Sequence, residues 1–319
     1  ILKKYPKVAK KFKQVFKKSA YCVGCRVCES NCPNGCISFE NGLKIVNCIH
    51  CGQCHEVDDG CLAYHSLRTS LGGNGKMNNA SINSFANHAP KLEWVREFFD
   101  MGNEYWELNS LGPNQVPMFK RFLRDTGLID KNNKTTKLFD VIVSIGWESG
   151  TAWGLIASNF AYNPQFNWYI NNLDVGTIYQ RDTVSDLLIN DGVKKNDATS
   201  IINAFKRFCE LPLGTVLNWG AVYENGRQID SLYRNKCAIV DNRVILYSLL
   251  LFVENCDENK EFTLSWLMDE LVDRNGVSPS KVFGLDYEEM KSALMGLSQK
   301  YPDFIIASFT NDLDKISIL

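Results

Sequence analysis

The sequence predicts an α+β chain, in which a small cysteine-rich segment precedes a larger, mostly helical region broken by short hairpins. Three observations predict it. Nine of the 12 cysteines lie between Cys22 and Cys61. Beyond Lys91 the apolar residues recur mostly at three- and four-residue spacing, the period of a half-buried helix. Three of those helical stretches run into short β-branched segments separated by turn residues. With 319 residues, 45% of them hydrophobic and 22% charged, the chain has apolar material for two or three domains and is not a disordered polymer.

The formal net charge of -1 conceals an asymmetry. Residues 1–90 carry 12 Lys+Arg and 5 Asp+Glu, a balance of +7, and residues 91–319 carry 23 and 31, a balance of -8. Residues 1–20 contain eight lysines and no acid. Tyr5, Val8, Phe12, Val15 and Phe16 share one face at helical spacing, so this stretch predicts a basic amphipathic helix. Its lysines suit nucleic acid, an anionic partner, or simple solvation. The longest apolar run, Val244 to Val253, is half the length a bilayer requires and predicts a buried helix. No signal-peptide pattern opens the chain, so a cytoplasmic location and no membrane association are expected. A start at Ile1, within a helical pattern, suggests the downstream part of a longer protein.

Residues 21–65 hold two cysteine runs. The first is Cys22-x2-Cys25-x2-Cys28-x3-Cys32-Pro33, and the second is Cys48-x2-Cys51-x2-Cys54-x6-Cys61. The triads repeat at a constant offset of 26 residues. Disulfides fit poorly without a secretory pattern, and zinc sites favour paired Cys-x2-Cys rather than triads. Three thiolates at this spacing wrap one iron–sulfur cube, and a fourth followed by proline serves a second. Between the runs, Ile37 to Glu40 and Leu43 to Val46 flank Asn41-Gly42, which predicts a two-residue hairpin.

The repeated triads with a hairpin between them resemble the bacterial two-cluster ferredoxin domain. The resemblance implies two 4Fe–4S clusters. Cys22, Cys25, Cys28 and Cys61 would hold one, and Cys48, Cys51, Cys54 and Cys32 the other. The six-residue gap before Cys61, with no proline after it, departs from that pattern and leaves open a single cluster. Cys36 stands where the family has a small apolar residue and reads as a packed, non-ligand thiol, the alternative being that it is the one candidate for carrying sulfur. His50, His55, His65 and His88 are expected to be solvated or to lie beside the ligands.

Residues 66–90 are rich in Ser, Gly and Asn and predict a linker. Gly75-Lys76 falls short of a phosphate loop, because Ser70 and Met77 replace the glycine and hydroxyl residue that the motif requires. Residues 91–319 predict the helical region, beginning with Trp94, Val95, Phe98 and Phe99 on one face. Its three helix-plus-hairpin stretches follow one design, that of winged helices. The first runs from Gln115 to Thr126, then Leu128-Ile129 and Thr135 to Leu138. In the second, Ala198 to Cys209 precedes Ala221 to Tyr223 and Gln228-Ile229. In the third, Asp286 to Gln299 precedes Phe304 to Ser308 and Lys315 to Leu319. Lys120, Arg121, Arg124, Lys206 and Arg207 are the candidate DNA contacts. The balance of -8 favours protein docking over DNA.

The order of the whole chain resembles the C-terminal part of iron–sulfur members of the phosphoadenosine phosphosulfate reductase family. The segments that carry it are Tyr21-Cys22, Cys48-Ile49-His50-Cys51, Gly60-Cys61-Leu62-Ala63, Phe283-Gly284-Leu285-Asp286 and Gly296 to Phe304. The resemblance implies a redox or sulfur-transfer module, with relatives in DNA phosphorothioation and phage defence. It also implies an upstream nucleotide-binding domain or partner and an electron-donor protein. The chemistry would be completed outside these residues, and no catalytic constellation stands out within them. The competing expectation is a non-enzymatic iron–sulfur protein that binds DNA or assembles with others.

Overall fold

The structure, a computed structural model, describes residues 26–30, 32–39, 43–47, 82–238, 241–256, 260–269, 274–310 and 313–319. The chain divides into two units, residues 1–75 with 269–275 and residues 76–268 with 276–319. The predicted helix at 1–20, and most of the cysteine segment, lie outside the described residues.

In the first unit a single helical turn, α1 (Val27–Ser30), is followed by strands β1 (Ile37–Phe39) and β2 (Leu43–Ile45). The strands pair antiparallel, with Ile37 opposite Ile45 and Phe39 opposite Leu43. The hairpin between the cysteine runs is therefore present, with one correction. A two-residue connection would set Glu40 against Leu43. The observed register leaves three residues, 40–42, to join the strands.

The second unit begins earlier than the predicted linker allows. Ile82, Phe85 and Ala89 are buried, and Phe85 packs edge-on against Phe122 and Phe208. The amide of buried Ser84 donates to Gln165 Oε1 at 2.9 Å. Polar Ser and Asn residues around these apolar positions disguise a segment that belongs to the core.

Helix α2 (Leu92–Met101) buries the predicted Trp94, Val95, Phe98 and Phe99. After the short α3 (Tyr105–Leu108), α4 (Gln115–Asp125) buries Phe119, Phe122 and Leu123. Gly127, at φ +75°, lets the chain turn so that the Leu128 amide reaches the Leu123 carbonyl at 2.8 Å. The hairpin predicted next is reduced to one bridge, between Ile129 and Thr135. Thr135 to Leu138 is not a strand. Thr136 Oγ1 accepts the amide of Phe139, and α5 (Lys137–Ile145) begins there. A threonine favours strands and helix caps alike, and here the cap wins because Phe139 and Ile142 then face the core.

Helices α6 (Gly150–Phe160) and α7 (Pro164–Asn172) follow. Then comes β3 (Ile178–Gln180), α8 (Arg181–Asn190), α9 (Lys195–Glu210), the short α10 (Pro212–Thr215), β4 (Gly220–Asn225) and β5 (Gln228–Arg234). These three strands form one antiparallel sheet in the order β3-β5-β4, with a bulge at Tyr223/Glu224. Helix α11 (Asn242–Asn255) holds the apolar run Val244 to Val253. It approaches α6 closely, since a Cβ on Gly154 would stand 2.7 Å from Val244 Cγ1.

The last part repeats the arrangement. It contains β6 (Glu261–Phe262), α12 (Leu264–Met268), α13 (Pro279–Phe283), α14 (Tyr287–Lys300), β7 (Ile305–Thr310) and β8 (Leu313–Ile318). Its sheet order, β6-β8-β7, matches that of the earlier sheet. The helix-then-hairpin design is thus present twice rather than three times, each time with a third strand. One apolar core spans residues 82 to 283, and a smaller one lies beneath the last sheet. The fold is mixed helix and antiparallel sheet, as the α+β expectation holds. No helix among the described residues is long and apolar enough to cross a membrane.

Candidate functional site

Of the eight predicted cluster ligands, the structure describes the side chain of one, Cys32. Cys28 lies on α1. Cys22, Cys25, Cys48, Cys51, Cys54 and Cys61 lie outside the described residues, as do His50, His55 and His65. Among the described residues, no group of three or more His, Cys, Asp or Glu side chains converges as a metal site.

Around Cys32 the local geometry follows from Cys32-Pro33-Asn34-Gly35. The Gly35 amide donates to the Cys32 carbonyl at 3.1 Å, closing a tight turn. Pro33, with its fixed φ, occupies the position of such a turn that proline favours. Gly35 takes φ +56°, a conformation that favours glycine. The chain doubles back, and the Cys36 amide donates to Cys32 Sγ at 3.2 Å. Donation from the Cys36 amide, then from that of Asn34, holds the Cys32 thiol below its ordinary pKa.

Cys36 differs from Cys32. It is buried, and its Sγ donates to the Asn47 carbonyl at 3.2 Å, with a longer contact to the Asn34 carbonyl at 3.6 Å. A thiol that donates retains its proton, whereas a sulfur that accepts amides is suited to the thiolate form. The Val46 amide also donates to the Cys36 carbonyl, at 2.9 Å. Sequence reasoning weighed Cys36 as a sulfur-carrying thiol, favoured simple packing, and foresaw no role for it in bonding Cys32. The signal that could have found one is its position four residues after Cys32, across a Pro-x-Gly turn.

The candidate DNA-contact residues of the second unit engage partners of their own. Lys120 Nζ lies 4.7 Å above the Trp106 ring, and Arg121 pairs with Asp125 at 3.5 Å. Burial raises the Asp125 pKa, against the Asn163 side-chain donor at 2.6 Å and the charge of Arg121. On α9, Lys206 pairs with Glu224 at 2.7 Å and Glu210 at 3.8 Å, and Arg207 pairs with Glu210 at 2.7 Å. Arg124 is exposed. Between the segment near Asn87, the α9 residues Asn203 and Arg207, and the hairpin residues Glu224 and Arg227 lies a groove of about 300 Å³. His88 lies half-buried at the edge of that segment.

No protein-family model matches the chain, and none of the curated proteins does. Two solved structures resemble its fold. A crystal structure of magnesium ion-bound SspB matches with a TM-score of 0.53 at 11% identity, covering 75% of this chain and 83% of that one. A second SspB crystal structure matches with a TM-score of 0.52 at 11% identity, covering 79% and 85%. At that identity the likeness is one of fold.

Proposed function

We propose that the chain is an iron–sulfur redox or sulfur-transfer module, similar to the C-terminal part of phosphoadenosine phosphosulfate reductase-like proteins and possessing two 4Fe–4S clusters. One observation of the structure supports this most. Cys32 Sγ, the predicted crossing ligand, accepts a main-chain amide at 3.2 Å beside a hairpin joining the two cysteine runs. Amide donors to ligand sulfurs are a standard means by which proteins stabilise cluster thiolates and set potentials. Eight cysteine thiolates match the ligand count that two such clusters need. Cys22, Cys25, Cys28 and Cys61 would hold one cluster, and Cys48, Cys51, Cys54 and Cys32 the other. When bound, such clusters supply one-electron transfer or a reactive sulfide. The residues of this chain orient the ligands, while an upstream nucleotide-binding domain or partner and an electron-donor protein complete the chemistry.

The two β-α-α-α-β-β arrangements fit winged-helix-like units that dock a partner, in keeping with the expected assembly role. Four of the five candidate DNA contacts are engaged within the chain, which favours docking over DNA. A role in DNA phosphorothioation or phage defence would place DNA on the partner's side of the complex.

The test is metal content. Protein purified without oxygen is expected to be brown and to hold about eight iron and eight sulfide per chain, from the two-cluster ligand count. Stoichiometric zinc without sulfide would overturn the reading. About four iron would reduce it to one cluster.

A further inference from the structure

The groove of about 300 Å³ between residues 86–89, α9 and the β4–β5 hairpin has a small apolar floor, formed by buried Ala89, Ala204 and Ile229. Its size lies at the lower end of ligand sites, which run from about 300 to 1,000 Å³. The Lys206–Glu224 pair at 2.7 Å straps the helix to the hairpin and sets the groove's width. In the 86–89 segment the His88 amide donates to the Phe85 carbonyl at 2.8 Å, and Ala86 takes φ +47°. Alanine rarely adopts that left-handed conformation, and backbone held in such regions clusters where a chain grips a ligand. The turn presents Asn87. Its Oδ1 accepts the Ser200 hydroxyl at 2.7 Å, nearer than that hydroxyl's other acceptor, the Asn196 carbonyl at 3.3 Å.

The rim is left with donors. Among the described residues, the side-chain N–H groups of Asn87, of exposed Asn203 and of exposed Arg227 form no hydrogen bond or ion pair. Lys206 and Arg207 are held by Glu224 and Glu210, so Arg227 is the uncompensated cation of the groove. Resting on the docking reading above, we propose that the groove receives an extended segment of a partner protein that carries one carboxylate and, beside it, a small aliphatic side chain. The Arg227 guanidinium holds the carboxylate, the amides of Asn87 and Asn203 donate to main-chain carbonyls, and the aliphatic group covers the floor. The balance of -8 in residues 91–319 opposes every further negative charge, which selects a single carboxylate over a polyanion. None of the described residues that line the groove is aromatic, so a nucleic-acid base would find nothing to stack on.

The experiment titrates the full chain into a library of fluorescein-labelled octapeptides of Gly and Ser, each with one Val and one Glu at a different spacing, read by fluorescence anisotropy. At least one spacing is expected to bind with a Kd below about 1 mM. For that peptide, Gln in place of Glu and the variant Arg227→Glu are each expected to weaken binding about tenfold, the loss of one charge-assisted pair. Asn203→Leu is expected to weaken it about threefold, through a lost neutral hydrogen bond. Lys131→Glu, the same charge change at an exposed residue outside the groove, is expected to stay within about twofold of the parent. Circular dichroism verifies that the variants remain folded. A thymidine octamer and a short DNA duplex are run alongside as competitors.

Absence of binding at every spacing overturns the proposal and leaves docking through a broader surface standing. A peptide held equally by the parent and by Arg227→Glu sits elsewhere, as on the lysines of residues 1–20, and overturns it as well. If Gln in place of Glu changes nothing, recognition of a carboxylate falls and the proposal with it. Strong competition by the duplex or the thymidine octamer, lost in Arg227→Glu, would give the groove to nucleic acid, and the docking reading itself would fall.

Discussion

Arg234 shows how much one buried side chain can hold. It is 2% exposed. Its guanidinium donates to the carbonyls of Ile170 at 2.7 Å and Leu173 at 3.1 Å, and to that of Lys281. It thereby ties β5 to the end of α7 and to α13. Arg234→Leu would leave buried carbonyls without these donors, and the expected loss is about 3 kcal/mol, read as a lower denaturation midpoint at unchanged slope. Arg234→Lys is expected to recover little of it, because an ammonium cannot reproduce the planar fork. The scattered cysteines give a second prediction at this scale. Burial pushes the Cys237 thiol from 9.0 up to about 12, and burial raises the Cys209 thiol too. The native state therefore keeps protons that the unfolded chain releases. The stabilisation is fully present below about pH 9 and is lost as pH rises toward 12. Alkaline titration of stability should fall across that window, and Cys237→Ala should flatten the fall. Alkylation at pH 8 should spare both cysteines until the chain unfolds, because the reactive form is the thiolate.

At the scale of elements, glycine positions separate two kinds of constraint. A Cβ on Gly214, in α10, would stand 2.1 Å from the Cys209 carbonyl oxygen, which is backbone and cannot rotate away. Gly226, at the tip of the β4–β5 hairpin, has open space but φ +65°. Gly214→Ala is expected to cost at least about 3 kcal/mol through forced separation of α9 and α10. Gly226→Ala is expected to cost about 1 kcal/mol through backbone strain alone. Thermal unfolding of the two variants side by side checks the order. The same elements show what the sequence made legible. The β4–β5 turn was readable because Asn225-Gly226 carries the chemistry of a tight turn. Helix α14 was readable because Asp286 and Glu289 form a capping box, each side chain accepting the other's main-chain amide. The strand expected at Thr135 was not, since local preference there is ambiguous and the choice is made by Phe139 and Ile142 meeting the core. Strands β3 and β6 escaped notice because three- and two-residue strands carry no period. The segment at 82–90 was missed for a related reason. Phe85 contributes its burial to helices more than 30 residues away, and nothing adjacent in sequence announces it. In the candidate site the cysteine spacing was legible, whereas the Cys36 bonds depend on the turn at Pro33 and the return of the chain to Asn47.

At the scale of the whole molecule, the charge asymmetry and the internal pairing bear on what the helical region contacts. Residues 91–319 carry a balance of -8. Arg124 aside, their candidate DNA-facing cations are engaged by Trp106, Asp125, Glu210 and Glu224. To reach a phosphate, each would give up a local partner while approaching a polyanion from a negatively charged surface. Exposed pairs of this kind are individually weak, so the obstacle is the summed field rather than any one bond. Duplex DNA affinity falls with salt at a log–log slope of about 0.9 for each phosphate neutralised. The full chain is therefore expected to bind duplex with a shallow slope, about 2 or less, attributable to the basic residues before residue 91. Changing Lys120, Arg121 and Arg124 together to Ala should leave that slope unchanged, as should Lys206→Ala with Arg207→Ala. Circular dichroism and the denaturation midpoint verify that the variants remain folded. A steep slope that either set of changes abolishes would show that these faces meet DNA despite their internal partners, and docking would yield to direct DNA contact. An unchanged shallow slope leaves α9 and its hairpin as a surface for a protein partner.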